Sequence, residues 1–265
     1  MIPKIIHYCW FGRGEMPKLM KKCLKSWKKH CPDWQIIEWN EDNFDISSTL
    51  WTKQAYEAKK YAFVSDYVRL WALHKMGGVY LDTDLELRKP LDVFLSHDAF
   101  LGFENKISVA TCLIGAAAGN RVVHTWLDWY TDRPYLKDGK PNTEPNVIFI
   151  TEDMIRRGLV INNQQQSVEG IEVYPQSWFC PQNMDGENRA RNRNTVSIHH
   201  FTSTWRSDRE RKNMKRAKWH STKTYKALIW LRYLPNRIIR KVLGDKFIDN
   251  IKKNWAVKRP AGKER

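Results

Sequence analysis

The densest concentration of reactive side chains in this 265-residue sequence is Gly77-Gly78-Val79-Tyr80-Leu81-Asp82-Thr83-Asp84. A double glycine delivers a short apolar strand, which emerges into two carboxylates one residue apart. Alternate residues of an extended chain share a side, so Asp82 and Asp84 are expected to face the same way. Two hard oxygen donors there suit Mg²⁺ or Mn²⁺, ions that keep bound waters and also take phosphate oxygens. Asp-x-Asp alone also describes a solvated turn. The strand and paired glycines in front of it favour a metal–diphosphate site.

Other polar residues accompany this pair. Asp66 and Arg69 are spaced i, i+3 in a helical stretch and so share a face; an ordinary surface ion pair is the alternative reading. His199 and His200 sit in a strand-like run, where alternation turns them to opposite sides. His7, inside the first apolar strand, reads as a buried structural histidine. No two carboxylates stand out as the nucleophile and acid–base pair of a hydrolase.

The elements that must position these groups follow from apolar spacing and from breakers. Ile2 to Trp10 reads as a strand, Pro17 to His30 as a basic helix, and Trp34 to Trp39 as a second strand. A helical stretch from Trp51 leads into a helix over Tyr61–Met76, stopped by Gly77-Gly78, and Val79-Tyr80-Leu81 begins a third strand. This order predicts an α/β sheet with parallel pairings. Further strands are expected near Ala99–Phe103 and Cys112–Ala117, helices near Asn120–Tyr130 and Asn146–Arg157, and a last strand over Val196–Phe201. The segments Tyr135–Pro145 and Gln182–Asn194 read as loops.

Composition bounds the functional class. Hydrophobic residues at 42% exclude a disordered chain. No apolar run approaches the roughly 20 residues of a membrane-spanning helix, and the N-terminus lacks the pattern of a signal peptide. Five cysteines without a CxxC pair suit reduced cytosolic thiols better than a disulfide framework or a zinc site. The net charge of +16 is concentrated: residues 206–265 hold 20 Lys and Arg against 5 Asp and Glu, while residues 1–205 hold 25 against 24. A uniformly basic nucleic-acid-binding domain would not be divided in this way.

Three blocks, in order, resemble one family. They are Ile2-Pro3-Lys4-Ile5-Ile6-His7-Tyr8-Cys9-Trp10-Phe11-Gly12, then Ser65-Asp66-Tyr67-Val68-Arg69-Leu70 with Gly77 to Asp84, then His199-His200-Phe201-Thr202-Ser203-Thr204-Trp205. They are similar to the DXD sugar transferases of glycosyltransferase family 32, which include surface-polysaccharide transferases and fungal mannosyltransferases, and to the glucosyltransferase domains of large clostridial toxins. The resemblance implies an α/β fold with a GT-A type nucleotide-sugar-binding sheet flanked by helices over residues 1–205. It also implies a nucleotide-sugar donor, Mn²⁺ or Mg²⁺, and retention of configuration at the transferred sugar. Under it Asp82, Asp84 and His200 hold the metal, Trp10 stacks on the nucleobase, and Asp66 and Arg69 meet the donor sugar, ribose and diphosphate. Ser203 stands beside the metal shell and Trp205 donates its indole N–H to the leaving phosphate. His200 is preferred to His199 because its spacing to Ser203 and Trp205 fits the related pattern. Ala110-Thr111-Cys112 departs from that pattern, where relatives often carry an asparagine.

The resulting expectation is a metal-dependent retaining hexosyltransferase, with a UDP-sugar favoured as donor and an oligosaccharide or lipid-linked glycan as acceptor in surface or capsular polysaccharide synthesis. A protein-modifying transferase of the same fold and a basic nucleic-acid-binding protein are the alternatives. In residues 206–265, basic residues interleave with apolar ones and with Trp230, Tyr233 and Trp255. This predicts a basic helical extension at an anionic membrane surface, with the enzyme cytoplasmic, peripheral at the inner face of the cytoplasmic membrane and without a nucleic-acid partner.

Overall fold

The computed structural model describes residues 1–182 and 191–202. In chain order its elements are β1 (Ile5–Cys9), α1 (Lys18–His30), β2 (Gln35–Trp39), α2 (Leu50–Glu57), α3 (Tyr61–Met76), β3 (Gly78–Leu81), β4 (Leu85–Leu87), β5 (Ala99–Gly102) and β6 (Leu113–Ala116). There follow α4 (Arg121–Asp128), β7 (Leu136–Lys137), β8 (Lys140–Pro141), α5 (Asn146–Arg156), β9 (Gln166–Val168), β10 (Ile171–Tyr174), α6 (Gln176–Phe179) and β11 (Ser197–His199). Side-chain caps fix two helix starts: Thr49 accepts from the Thr52 amide at α2, and Asn120 accepts from the Val122 and Val123 amides at α4.

Seven strands form one sheet in the order β2-β1-β3-β6-β5-β10-β9. The pairs β1/β2, β1/β3 and β5/β10 are parallel as expected, but β6 runs antiparallel to both β3 and β5. Strand alternation gives the sheet two apolar faces. Cys9, Tyr80, Leu101 and Ile114 pack with α2, α3, α4 and α5 through Trp51, Val64, Trp126 and Phe149. Ile6, Tyr8, Val79, Leu81 and Phe100 pack on the other face with α1 and α6 through Cys23, Trp27 and Phe179. Helices therefore cover both faces, which is the flanked α/β sheet expected of a GT-A type domain.

The turn between α3 and β3 accounts for the paired glycines. Gly77 and Gly78 have φ of 65° and 114°, a region other residues rarely enter. A Cβ on Gly78 would stand 2.6 Å from the Ile5 carbonyl oxygen and 3.0 Å from His7 Nε2. Removing both side chains lets β3 lie against β1, and the strand's carboxyl end then carries Asp82.

One expected element finds its place here and another expectation changes. The last strand does not join the main sheet: β11 pairs antiparallel with β4 alone, in a separate ribbon. The loop near residue 140 holds the small β7/β8 hairpin. The polar run 183–190, the boundary placed after residue 205 and the basic extension 206–265 lie outside the described residues.

Candidate active site

The ribbon decides the geometry of the site. In β4/β11, His199 lies opposite Leu85 and Ile198 opposite Glu86, and residues directly opposite in an antiparallel pair point to the same side. Asp82-Thr83-Asp84 is a tight turn between β3 and β4, closed by the Leu85 amide donating to the Asp82 carbonyl at 2.9 Å. It is not the extended segment that alternation predicts. Two anchors from α1 hold the strand after the turn: Trp27 Nε1 donates to the Leu85 carbonyl at 2.7 Å, and the Leu87 amide donates to Ser26 Oγ at 2.9 Å.

His199, not His200, faces the aspartates. Its Nε2 is 3.1 Å from Asp84 Oδ1 and 3.9 Å from Asp82 Oδ2. The expected metal role of His200 is therefore corrected: its Nε2 is 3.1 Å from Glu86 Oε2, on the opposite side of the ribbon, where Lys22 and Arg88 also meet Glu86. Strand alternation together with the β4/β11 register is the physical reason. The other oxygen of Asp84 accepts from the Thr202 amide and hydroxyl, both at 2.8 Å. Burial would raise the pKa of Asp84, but His199 and Thr202 hold it well below the usual carboxylate range. Burial likewise opposes charge on His199, yet Cys112 and Asp84 raise its pKa well above the ordinary value.

Asp66 and Arg69 lie on the face of α3 that meets the end of β3. Arg69 Nη2 is 3.0 Å from Asp66 Oδ1 and 3.3 Å from Asp82 Oδ1, and Nη1 donates to the Thr111 carbonyl at 2.8 Å. Its guanidinium also lies 4.7 Å from the centroid of the Tyr80 ring, whose hydroxyl is 3.1 Å from Asp82 Oδ1. Both members of the Asp66–Arg69 pair are buried, so the surface-pair alternative is excluded. Burial pushes Asp66 up to about 6, with Arg69 only partly opposing.

Asp82, Asp84 and His199 offer ligand atoms that all lie within 4.8 Å of one another. Two carboxylates with one imidazole suit a divalent cation such as Mn²⁺ or Mg²⁺, and the residues present fit that group. Trp10 stands after β1, half-buried, with its indole N–H donating to the Gly14 carbonyl at 2.7 Å. Ser203 and Trp205 lie outside the described residues.

Four participants escaped sequence reasoning. Tyr80 and Thr202 lie inside motifs already singled out, where no role was assigned to them. Thr111 contributes only its backbone carbonyl, which no side-chain motif signals. Glu104 follows β5, close enough for the charges of His199 and Asp82 to act on it, and burial raises its pKa.

Residues 17–101 match the family described as "Glycosyltransferase sugar-binding region containing DXD motif". Among curated proteins, the chain is 29% identical over 123 residues to inositol phosphoceramide mannosyltransferase 3 of Schizosaccharomyces pombe, covering 45% of this chain and 34% of that protein. It is 29% identical over 156 residues to an uncharacterized glycosyltransferase of Acanthamoeba polyphaga mimivirus, covering 55% of this chain and 61% of that one. The chain thus spans about a third of the length of the fungal relative. Among solved structures, a glycosyltransferase involved in glycosylation of the major capsid of PBCV-1 is similar with a TM-score of 0.46 at 11% identity, covering 80% of this chain and 100% of that one. The matched region, about a third of the chain, holds α3, the glycine turn and both aspartates, so the similarity to the DXD sugar-binding region falls on the elements that build the candidate site.

Proposed function

We propose that the protein is a metal-dependent, retaining hexosyltransferase that uses a nucleotide-sugar donor and a glycan or lipid-linked glycan acceptor. The observation that carries this reading is the meeting of Asp82, Asp84 and His199 at the carboxyl end of β3, the place where open α/β sheets bind their ligands. A divalent cation bound there supplies positive charge to a diphosphate leaving group.

The chain's own residues do the rest. Arg69 is engaged on both terminal nitrogens, so it acts by fixing Asp82 and Asp66 in place, and its charge offsets two carboxylates in a confined space. Thr202 fixes the rotamer of Asp84. Trp10 offers an aromatic surface beside β1 for a nucleobase. The site's polar groups favour charge stabilisation and positioning over a covalent intermediate on the protein.

A UDP-sugar is the first donor to test. The mannosyltransferase named among the relatives makes a nucleotide-linked mannose the second. A role in surface polysaccharide synthesis at the cytoplasmic face of a membrane is proposed on the charge of residues 206–265.

The test is a screen of UDP- and GDP-sugars for hydrolysis or transfer with and without Mn²⁺. Wild type is expected to turn over one donor only with metal, and Asp82→Asn with Asp84→Asn to lower that rate by a factor of a thousand or more. Turnover that survives both substitutions would overturn the reading.

A further inference from the structure

A second set of ligand atoms lies beside the aspartates. Cys112 immediately precedes β6, Cys180 immediately follows α6, and His199 ends β11. The two Sγ atoms are 3.3 Å apart as free thiols, and both lie within 4.8 Å of a ring nitrogen of His199. Relative exposures are 2% for Cys112, 0% for Cys180 and 8% for His199. Asp84 occupies Nε2 of the imidazole, while Nδ1 is buried without a well-formed hydrogen bond among the described residues, and the Cys112 thiol is the polar group beside the ring. A buried polar atom without a partner is uncommon and calls for a ligand or a role. With Nε2 turned to the aspartates, Nδ1 is the nitrogen left for the thiols.

We propose that Cys112, Cys180 and Nδ1 of His199 form a binding site for a thiophilic divalent cation such as Zn²⁺ or Cd²⁺, distinct from the carboxylate site and sharing its imidazole. Two sulfurs and one imidazole suit such ions, whereas hard Mg²⁺ and Mn²⁺ prefer oxygen. Thiolates on tetrahedral zinc stand about 3.8 Å apart, so the sulfurs need part by only about half an ångström. Binding breaks two S–H bonds and the Nδ1–H bond of the imidazolium, forms two metal–sulfur bonds and one metal–nitrogen bond, and releases three protons to solvent. The imidazole proton then resides on Nε2 and is donated to Asp84. Long separations hide this site in the sequence: 68 residues divide the cysteines, so the absence of a CxxC pair said nothing about it.

A consequence rests on the proposed function. With its proton on Nε2, His199 no longer offers that nitrogen to a cation held by Asp82 and Asp84. A thiophilic ion in the neighbouring site should therefore weaken Mn²⁺ binding and raise the Mn²⁺ concentration that turnover requires.

The test uses the reduced full chain titrated with Cd²⁺, reading thiolate-to-cadmium charge-transfer absorbance and proton release. One Cd²⁺ bound and three protons released per chain are expected, with the band lost in Cys112→Ser and in Cys180→Ser and kept in Cys31→Ser. No band in wild type, or a band that survives both serine changes, overturns the proposal. If the serine variants do not fold, the ¹¹³Cd resonance of wild type decides: a sulfur-ligated position supports the site and an all-oxygen position overturns it. Donor hydrolysis separates the two readings. A rise in the Mn²⁺ concentration needed for half-maximal turnover when Cd²⁺ is present, absent in Cys112→Ser, supports the consequence, and an unchanged requirement overturns it. A cadmium band in a protein that hydrolyses no donor sinks the transferase reading alone, and donor turnover without a band sinks this site alone.

Discussion

At the scale of the residue, the two adjacent histidines separate cleanly. His199 is buried against Asp84, whereas His200 reaches Glu86 on the far side of the ribbon. Losing even an outer-shell partner costs a metal site roughly tenfold or more in affinity. His199→Ala should therefore raise the Mn²⁺ concentration needed for half-maximal donor turnover by at least about tenfold, while His200→Ala should leave it within about twofold of wild type. Mn²⁺ titration of both variants checks this, and the reverse order would return the ligand role to His200. The buried charges around Arg69 make another point at this scale. One guanidinium serves Asp66, Asp82 and the Thr111 carbonyl, a fork that a lysine ammonium does not reproduce.

At the scale of the element, His7 ties β1 to the glycine turn. The Gly77 carbonyl, 2.8 Å from Nε2, can only accept, so Nε2 carries the hydrogen, and Nδ1 accepts from Trp39 Nε1 at 3.1 Å. The ring is neutral, and burial lowers its pKa despite the opposing Gly77 carbonyl. The unfolded chain thus binds more protons than the folded one below the ordinary histidine value of 6.5, and stability falls as pH drops through that value. Urea unfolding should show this as a slope of at most about 1.4 kcal/mol per pH unit from this one group. His7→Gln should flatten the slope, and an unchanged slope would assign the proton elsewhere.

The same scale shows what could be read in advance. β1, α1, β2, α3 and β3 were legible because their signals are local: apolar spacing, breakers and a glycine pair whose φ values only glycine adopts readily. The presence of Asp82, Asp84, Asp66 and Arg69 in one cluster was legible through the motif. The antiparallel course of β6 was not, since an apolar run carries no sign of its direction. Nor was the choice of His199, because it depends on the register of β11 against a three-residue strand more than a hundred residues earlier. The thiol cluster was hidden for the same reason.

At the scale of the whole molecule, the charge and the chemistry are divided along the chain. The carboxylates and His199 lie in a nearly neutral stretch, and the excess of Lys and Arg lies beyond residue 205. If those residues bring the protein to an anionic surface, vesicles rich in acidic lipid should sediment it at low salt and release it as the Debye length shrinks from about 10 Å at 0.1 M to about 3 Å at 1 M. Neutral vesicles should not sediment it at either salt. Binding to RNA that matched binding to acidic vesicles would argue for the nucleic-acid alternative.

The β4/β11 ribbon also sets an order in time. Asp84 and His199 are 115 residues apart in the chain, and closing so long a loop is slow compared with forming local turns and helices. During synthesis the aspartates and α1 are made well before their histidine partner. The proposed cation site is therefore complete only once β11 has paired with β4, the last of the described strands to be made.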